Sequence, residues 1–149
     1  MYRLNLPPFE IKIRETNGRH SVWDILRRKY VALTPEEWVR QHFVHYLIGH
    51  KGYPQSLLAN ETELRMGAKR LRCDTVLYDK LLHPRMIMEY KAPAIALSQR
   101  VFNQISVYNL LLKVDYLVVS NGLQHVACQM DYERQTYHFL EDIPFFNSL

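Results

Sequence analysis

Asp74 sits inside a strand-like run, Arg72-Cys73-Asp74-Thr75-Val76-Leu77-Tyr78, and the next such run, Met86-Ile87-Met88-Glu89-Tyr90-Lys91, ends with an acid and a base two residues apart. In a strand, residues i and i+2 share a face, so Glu89 and Lys91 point one way and Met88 and Tyr90 the other. Neighbouring antiparallel strands lie about 5 Å apart, which can bring Asp74 beside Glu89. Two ionised carboxylates that close repel each other unless a cation lies between them. A hard ion with oxygen ligands, such as Mg2+, meets that need with one or two carboxylates and several waters. Lys91 next to such an ion can orient or help deprotonate a bound water, or stabilise charge on a phosphate in transfer. Taken alone, Glu89 and Lys91 also fit an ordinary exposed salt bridge, a feature worth little. Asp74 is harder to assign to structure, because strands disfavour Asp and a buried one needs a partner.

These side chains need a scaffold, and the chain carries clear signals for one. Phe9 to Arg14 alternates with period two, Asn17-Gly18 is a strong hairpin signal, and His20-Ser21-Val22-Trp23 follows, which predicts an opening β-hairpin. Thr34-Pro35-Glu36-Glu37 starts a helix: Thr34 can cap, Pro35 suits the first helical position, and Glu37 stands where a capping box needs it. That helix runs to about residue 48, burying Val39, Phe43, Tyr46 and Leu47, and Gly49 and Gly52 end it. Segment 56–61 is ambiguous. Strands are predicted over 61–66, 71–78 and 86–91, a second helix over 98–113, and further strands over 115–120, 125–130 and 136–140. The second helix carries Val101, Ile105, Tyr108 and Leu112 at helical spacing. This order predicts a mixed sheet with helices packed on it, an α/β or α+β domain.

The chain has 149 residues, 48% apolar and 23% charged, values of a single globular domain and too apolar for disorder. No repeat, low-complexity tract or linker divides it. The longest apolar stretch, 109–119, is broken by Lys113 and Asp115 and is too short for a membrane span. Met1 to Leu6 does not read as a secretory signal, and two cysteines, Cys73 and Cys128, fit a reducing cytosol, so a cytoplasmic protein with no membrane partner is expected. Net charge is +4, with +5 in residues 1–75 and −1 in 76–149, which is compatible with a polyanionic partner or with a plain solvated surface.

The residues also carry a resemblance. Asp74 followed by Glu89-Tyr90-Lys91 on the next strand resembles the core of the PD-(D/E)xK nucleases. More narrowly, the chain is similar to the N-terminal nuclease domain of type I restriction enzyme R subunits. The likeness runs through Trp23-Asp24, Thr34 to Gln41, Arg72-Cys73-Asp74, Glu89 to Pro93 and Asn121-Gly122, and Gln104-Ile105-Ser106-Val107-Tyr108 is similar to the Gln-x-x-x-Tyr motif of RecB-type members. The resemblance implies a restriction-endonuclease-like mixed sheet flanked by helices in one domain spanning 1–149, with 1–32 as a hairpin extension and 33–149 as the nuclease core. It implies that Asp74 and Glu89 bind Mg2+, with Mn2+ able to substitute, and that Lys91 is the active-site lysine. A helix acid assists, Glu37 with Glu36 as the alternative, and Gln104 and Tyr108 line the site. DNA is then the expected partner, alongside a second copy or separate restriction-system subunits. Cys73 replaces the proline of the motif, Tyr90 fills its middle position, and the chain lacks a P-loop and room for a translocating motor.

Two functional classes remain in view: an Mg2+-dependent nuclease acting on DNA, and a non-catalytic nucleic-acid- or protein-binding module that retains the fold. On the nuclease reading Arg27, Arg28, Lys29, Lys69, Arg70 and Arg72 are natural phosphate contacts; otherwise they are surface charge. Glu37 has a structural explanation as half of a capping box, and Gln104 with Tyr108 as a polar pair one helical turn apart. None of the seven histidines forms a His-Glu-x-x-His zinc motif, the cysteines lack Cys-x-x-Cys spacing, and Ser120-Asn121-Gly122 is not a nucleophile elbow.

Overall fold

The computed structural model describes residues 2–149, with the side chains of Met66 and of residues 107–111 outside the described set. Among the described residues nine strands and two α-helices follow one another. Three strands come first, β1 (Ile13–Thr16), β2 (Arg19–Asp24) and β3 (Lys29–Ala32), then helix α1 (Pro35–His50). Strands β4 (Leu58–Met66), β5 (Lys69–Tyr78) and β6 (Pro84–Tyr90) lead to helix α2 (Gln99–Leu112). Strands β7 (Tyr116–Ser120), β8 (His125–Asp131) and β9 (Thr136–Leu140) complete the order, and short 3-10 turns precede β4 and end the chain.

The expected opening hairpin is a three-stranded antiparallel sheet in order β1-β2-β3. Its third strand begins with the basic residue Lys29, and its cross-strand pairs, such as Trp23 with Tyr30, come from the neighbouring strand and not from its own pattern. The main sheet runs β4-β5-β6-β7-β8-β9, antiparallel except where β6 meets β7. A parallel pair needs a crossover, and α2 supplies it. β7 lies inside the sheet and is buried at all five positions, as its unbroken apolar run demands.

Each helix covers one face. Val39, Phe43 and Leu47 of α1 are fully buried against Leu77, Met86, Met88 and Val118. Phe102 and Ile105 of α2 pack on Ile87, Leu117, Val119 and Cys128 on the other side. Thr34 caps α1, its Oγ1 accepting the Glu37 N–H at 3.1 Å. The reciprocal half of the expected capping box is not made: the Thr34 N–H donates to Ala32 O, and the Glu37 carboxylate turns inward to Arg27 and Gln41. Tyr46 is only half-buried, whereas Glu37, Arg40 and Gln41 are buried beside the apolar stripe. α1 thus buries a polar stripe as well as an apolar one.

Candidate active site

The β5–β6 ladder pairs Tyr78 through Thr75 with Pro84 through Met88 and stops there. One step further the two strands carry Asp74 and Glu89, and their carboxylates replace the missing ladder bonds. The Tyr90 N–H donates to Asp74 Oδ2 at 2.8 Å, and the Asp74 N–H lies 3.5 Å from Glu89 Oε1. Backbone donors at an opening ladder need acceptors, and these two side chains provide them. Met88 and Tyr90 sit in the core on the α1 side and Ile87 in the core on the α2 side, so strand alternation turns Glu89 and Lys91 toward the α2 side.

Burial, and then the neighbouring Asp74 carboxylate, push the Glu89 carboxyl up to about 9, while the Lys91 ammonium pulls it down. Near neutral pH without a cation, Glu89 therefore keeps its proton. Lys91 is half-buried, its N–H donates to Ser120 O at 2.9 Å, and its ammonium forms no ion pair among the described residues. Asn121 steadies the segment that follows, its Nδ2 donating to Ile95 O at 2.8 Å while its Oδ1 accepts from the Leu123 and Gln124 N–H groups. The turn closes at Gly122 (φ +84°), where a Cβ would stand 2.7 Å from Leu4 Cδ2.

A cationic side chain that the sequence reading did not single out approaches from α1. Arg40 is 6% exposed, and its guanidinium bonds Glu61 Oε1 at 2.5 Å and the Asp74 carbonyl at 3.4 Å, with Asp74 Oδ1 3.8 Å away. Burial opposes its charge, but Glu37, Glu61 and Asp74 hold it fully protonated. Glu61 lies in β4 with a positive φ of 53°, a conformation non-glycine residues avoid, and Arg72 grips its second oxygen at 2.6 Å. Behind this pair, Asp24 is wholly buried and ion-paired to Arg27, and it accepts from Asn60 Nδ2 at 3.0 Å; Asn60 Oδ1 accepts from Thr75 at 2.7 Å. A polar chain thus ties the N-terminal sheet to the strand that carries Asp74. The only local signals for it are Asp24 ahead of a turn and the polar Arg40-Gln41 pair inside an amphipathic helix.

The remaining candidates fall elsewhere. Glu37 is occupied by Arg27 at 2.7 Å, Gln41 at 2.9 Å and Arg40 at 3.5 Å, and the neighbouring Glu36 is exposed. Gln104 is exposed on α2 and has no hydrogen bond to either carboxylate among the described residues; the Tyr108 side chain lies outside them. Arg27 is half-buried between Asp24 and Glu37. Arg28, Lys29, Lys69, Arg70 and Arg72 are exposed, Arg70 near Glu63 and Arg72 on Glu61.

The donor set suits a hard divalent cation: two carboxylates crowd one another and one of them retains a proton where a cation would relieve the repulsion. Among the described residues no group of three or more His, Cys, Asp or Glu could hold a metal ion. No described helix is long and apolar enough to cross a membrane.

Comparison with known proteins agrees with this architecture. Among curated proteins no sequence relative is found. A solved structure of a fragment assigned as an HsdR subunit of a type I restriction enzyme from Vibrio vulnificus shares the fold, with a TM-score of 0.52 and 17% identity over 75% of this chain. The match spans 24% of that chain's length. The family model for the type I restriction enzyme R protein N terminus (HSDR_N) matches residues 35–144, from the start of α1 to beyond β9. This chain belongs to the family of type I restriction enzyme R protein N-termini.

Proposed function

We propose that the chain is a divalent-metal-dependent nuclease of the PD-(D/E)xK type that hydrolyses DNA phosphodiester bonds within a restriction system. The observation that carries this reading is the meeting of Asp74 and Glu89 where β5 and β6 part, with Lys91 on the Glu89 side. Asp74 and Glu89 are the residues that would hold Mg2+ or Mn2+. Bound there, the ion supplies positive charge against the phosphate and a water acidified for attack. Glu89 would lose its proton to solvent in holding the ion. Lys91, whose ammonium forms no ion pair among the described residues, neutralises charge that builds on the phosphate oxygens as water bonds to phosphorus and the bond to the leaving oxygen breaks. Asp74 is held in place by the Tyr90 N–H, which keeps the carboxylate aimed before substrate arrives. Other restriction-system subunits are the partners that family membership suggests.

A second reading, a binding module without catalysis, draws support from Arg40, whose guanidinium already gives Asp74 a cationic neighbour. Cleavage of plasmid and single-stranded DNA with Mg2+ or Mn2+ decides between the two. Lys91→Ala should lower the rate by about 10²-fold or more while leaving the fold intact. Equal rates in both proteins, or cleavage that persists without metal, would overturn the nuclease reading.

A further inference from the structure

The β1–β3 sheet has one face turned to the core and one turned away. Val22 and Asp24 are wholly buried on the first. The Trp23 N–H donates to Lys12 O at 2.9 Å, which extends the β1–β2 register by one step and sets Lys12 opposite Trp23, with Tyr30 beyond it. Strand alternation then places Lys12, Arg14, Arg19, Trp23 and Tyr30 together on the outward face. The acids of these strands, Glu15 and Asp24, fall on the opposite face by the same alternation. On the outward side the Arg14 guanidinium lies 4.0 Å over the Tyr30 ring, and the Trp23 and Tyr30 rings meet edge to face at 5.2 Å. Lys12, Arg14 and Arg19 are exposed and form no ion pair among the described residues.

A face with three exposed cations that form no ion pair among the described residues, beside an Arg14–Tyr30 cation contact and an edge-to-face Trp23–Tyr30 pair, matches one occupant by charge and by shape. Phosphates of a flexible polyanion meet the cations, while its planar bases stack on the guanidinium and indole. Duplex DNA can satisfy the cations but keeps its bases stacked inside. We propose that the outward face of the β1–β3 sheet binds a single-stranded segment of nucleic acid. Its ligand class follows from this face alone and not from the carboxylate pair. The Asp24–Asn60–Thr75 chain anchors the sheet to β4 and β5, so a strand held here is held in fixed relation to Asp74.

The test is titration of fluorescein-labelled oligothymidylate of about 12 nucleotides in EDTA, which separates this binding from any metal-dependent cleavage. The triple variant Lys12→Gln, Arg14→Gln, Arg19→Gln should bind at least tenfold more weakly, with the slope of log affinity against log salt reduced by about 2. Indole quenching on binding should persist in Trp38→Phe and vanish in Trp23→Phe. Unchanged affinity and slope in the triple variant would overturn the proposal. So would duplex DNA of the same length binding as tightly as the single strand with no quenching of Trp23.

Discussion

Glu89 Oε1 lies 3.5 Å from the Asp74 backbone nitrogen, and each of these acids sits where a ladder bond of the sheet would otherwise be. Burial and Asp74 keep Glu89 protonated up to about 9 in the folded chain, whereas in the unfolded chain it titrates near 4.3. Between these values the unfolded state releases a proton that the folded state retains, so this group makes the metal-free protein less stable as pH rises through that window. Thermal unfolding from pH 5 to 9 should show that decline, and Glu89→Gln should flatten it. On the proposed function a divalent cation would displace the same proton, so Mg2+ should bind more tightly as pH rises and should raise Tm more at pH 8 than at pH 6. Asp74→Asn should abolish the Mg2+ effect. A pH slope unaltered in Glu89→Gln would contradict this account.

Asp24 has the opposite sign. Burial alone would raise its carboxyl, but Arg27, Asn60 and the N–H groups of Leu26 and Arg27 hold it below the ordinary range. Its contribution is present above the unfolded value near 3.9 and is lost as pH falls through the lower folded one. Asp24→Ala leaves Arg27 and Asn60 without their shared acceptor and should cost about 3 kcal/mol in urea unfolding at pH 7. The cost should shrink in strong acid, where the wild-type carboxyl is protonated too.

Arg40 neutralises Glu37, Glu61 and the Asp74 side of the site at once. Arg40→Met should destabilise the metal-free protein by about 3 kcal/mol, because one buried and two half-buried acids lose a cation they share. The same change removes a positive charge 3.8 Å from Asp74, so Mg2+ should raise Tm further in the variant than in the wild type. Equal shifts in the two proteins, read by differential scanning calorimetry, would separate Arg40 from the carboxylate pair.

The start of α1 tests capping apart from the site. Thr34→Ala removes the acceptor of the Glu37 N–H and should cost about 1 kcal/mol with Mg2+ binding unchanged. Glu37→Gln keeps that N–H but weakens the hold on Arg27 and Arg40. Its effect should appear in chemical denaturation as a loss comparable to or larger than that of Thr34→Ala.

The local grammar of the chain determined much of the fold. Thr34-Pro35 marked the start of α1 within a residue, and the strand-like runs 71–78 and 86–91 between turn signals marked the strands that carry Asp74 and Glu89, because caps, turns and runs of one residue class are short-range effects readable in a few residues. The sharing of one face by Glu89 and Lys91 was likewise local. Tertiary structure alone decided that β3 joins the first sheet, that Glu37 turns from its cap to Arg27, and that Arg40, Glu61, Asp24 and Asn60 link the site to the N-terminal strands. Their partners lie 10 to 36 residues away in sequence. A polar side chain has the same local pattern whether it faces water or a distant counter-charge; only the folded chain brings the counter-charge to it.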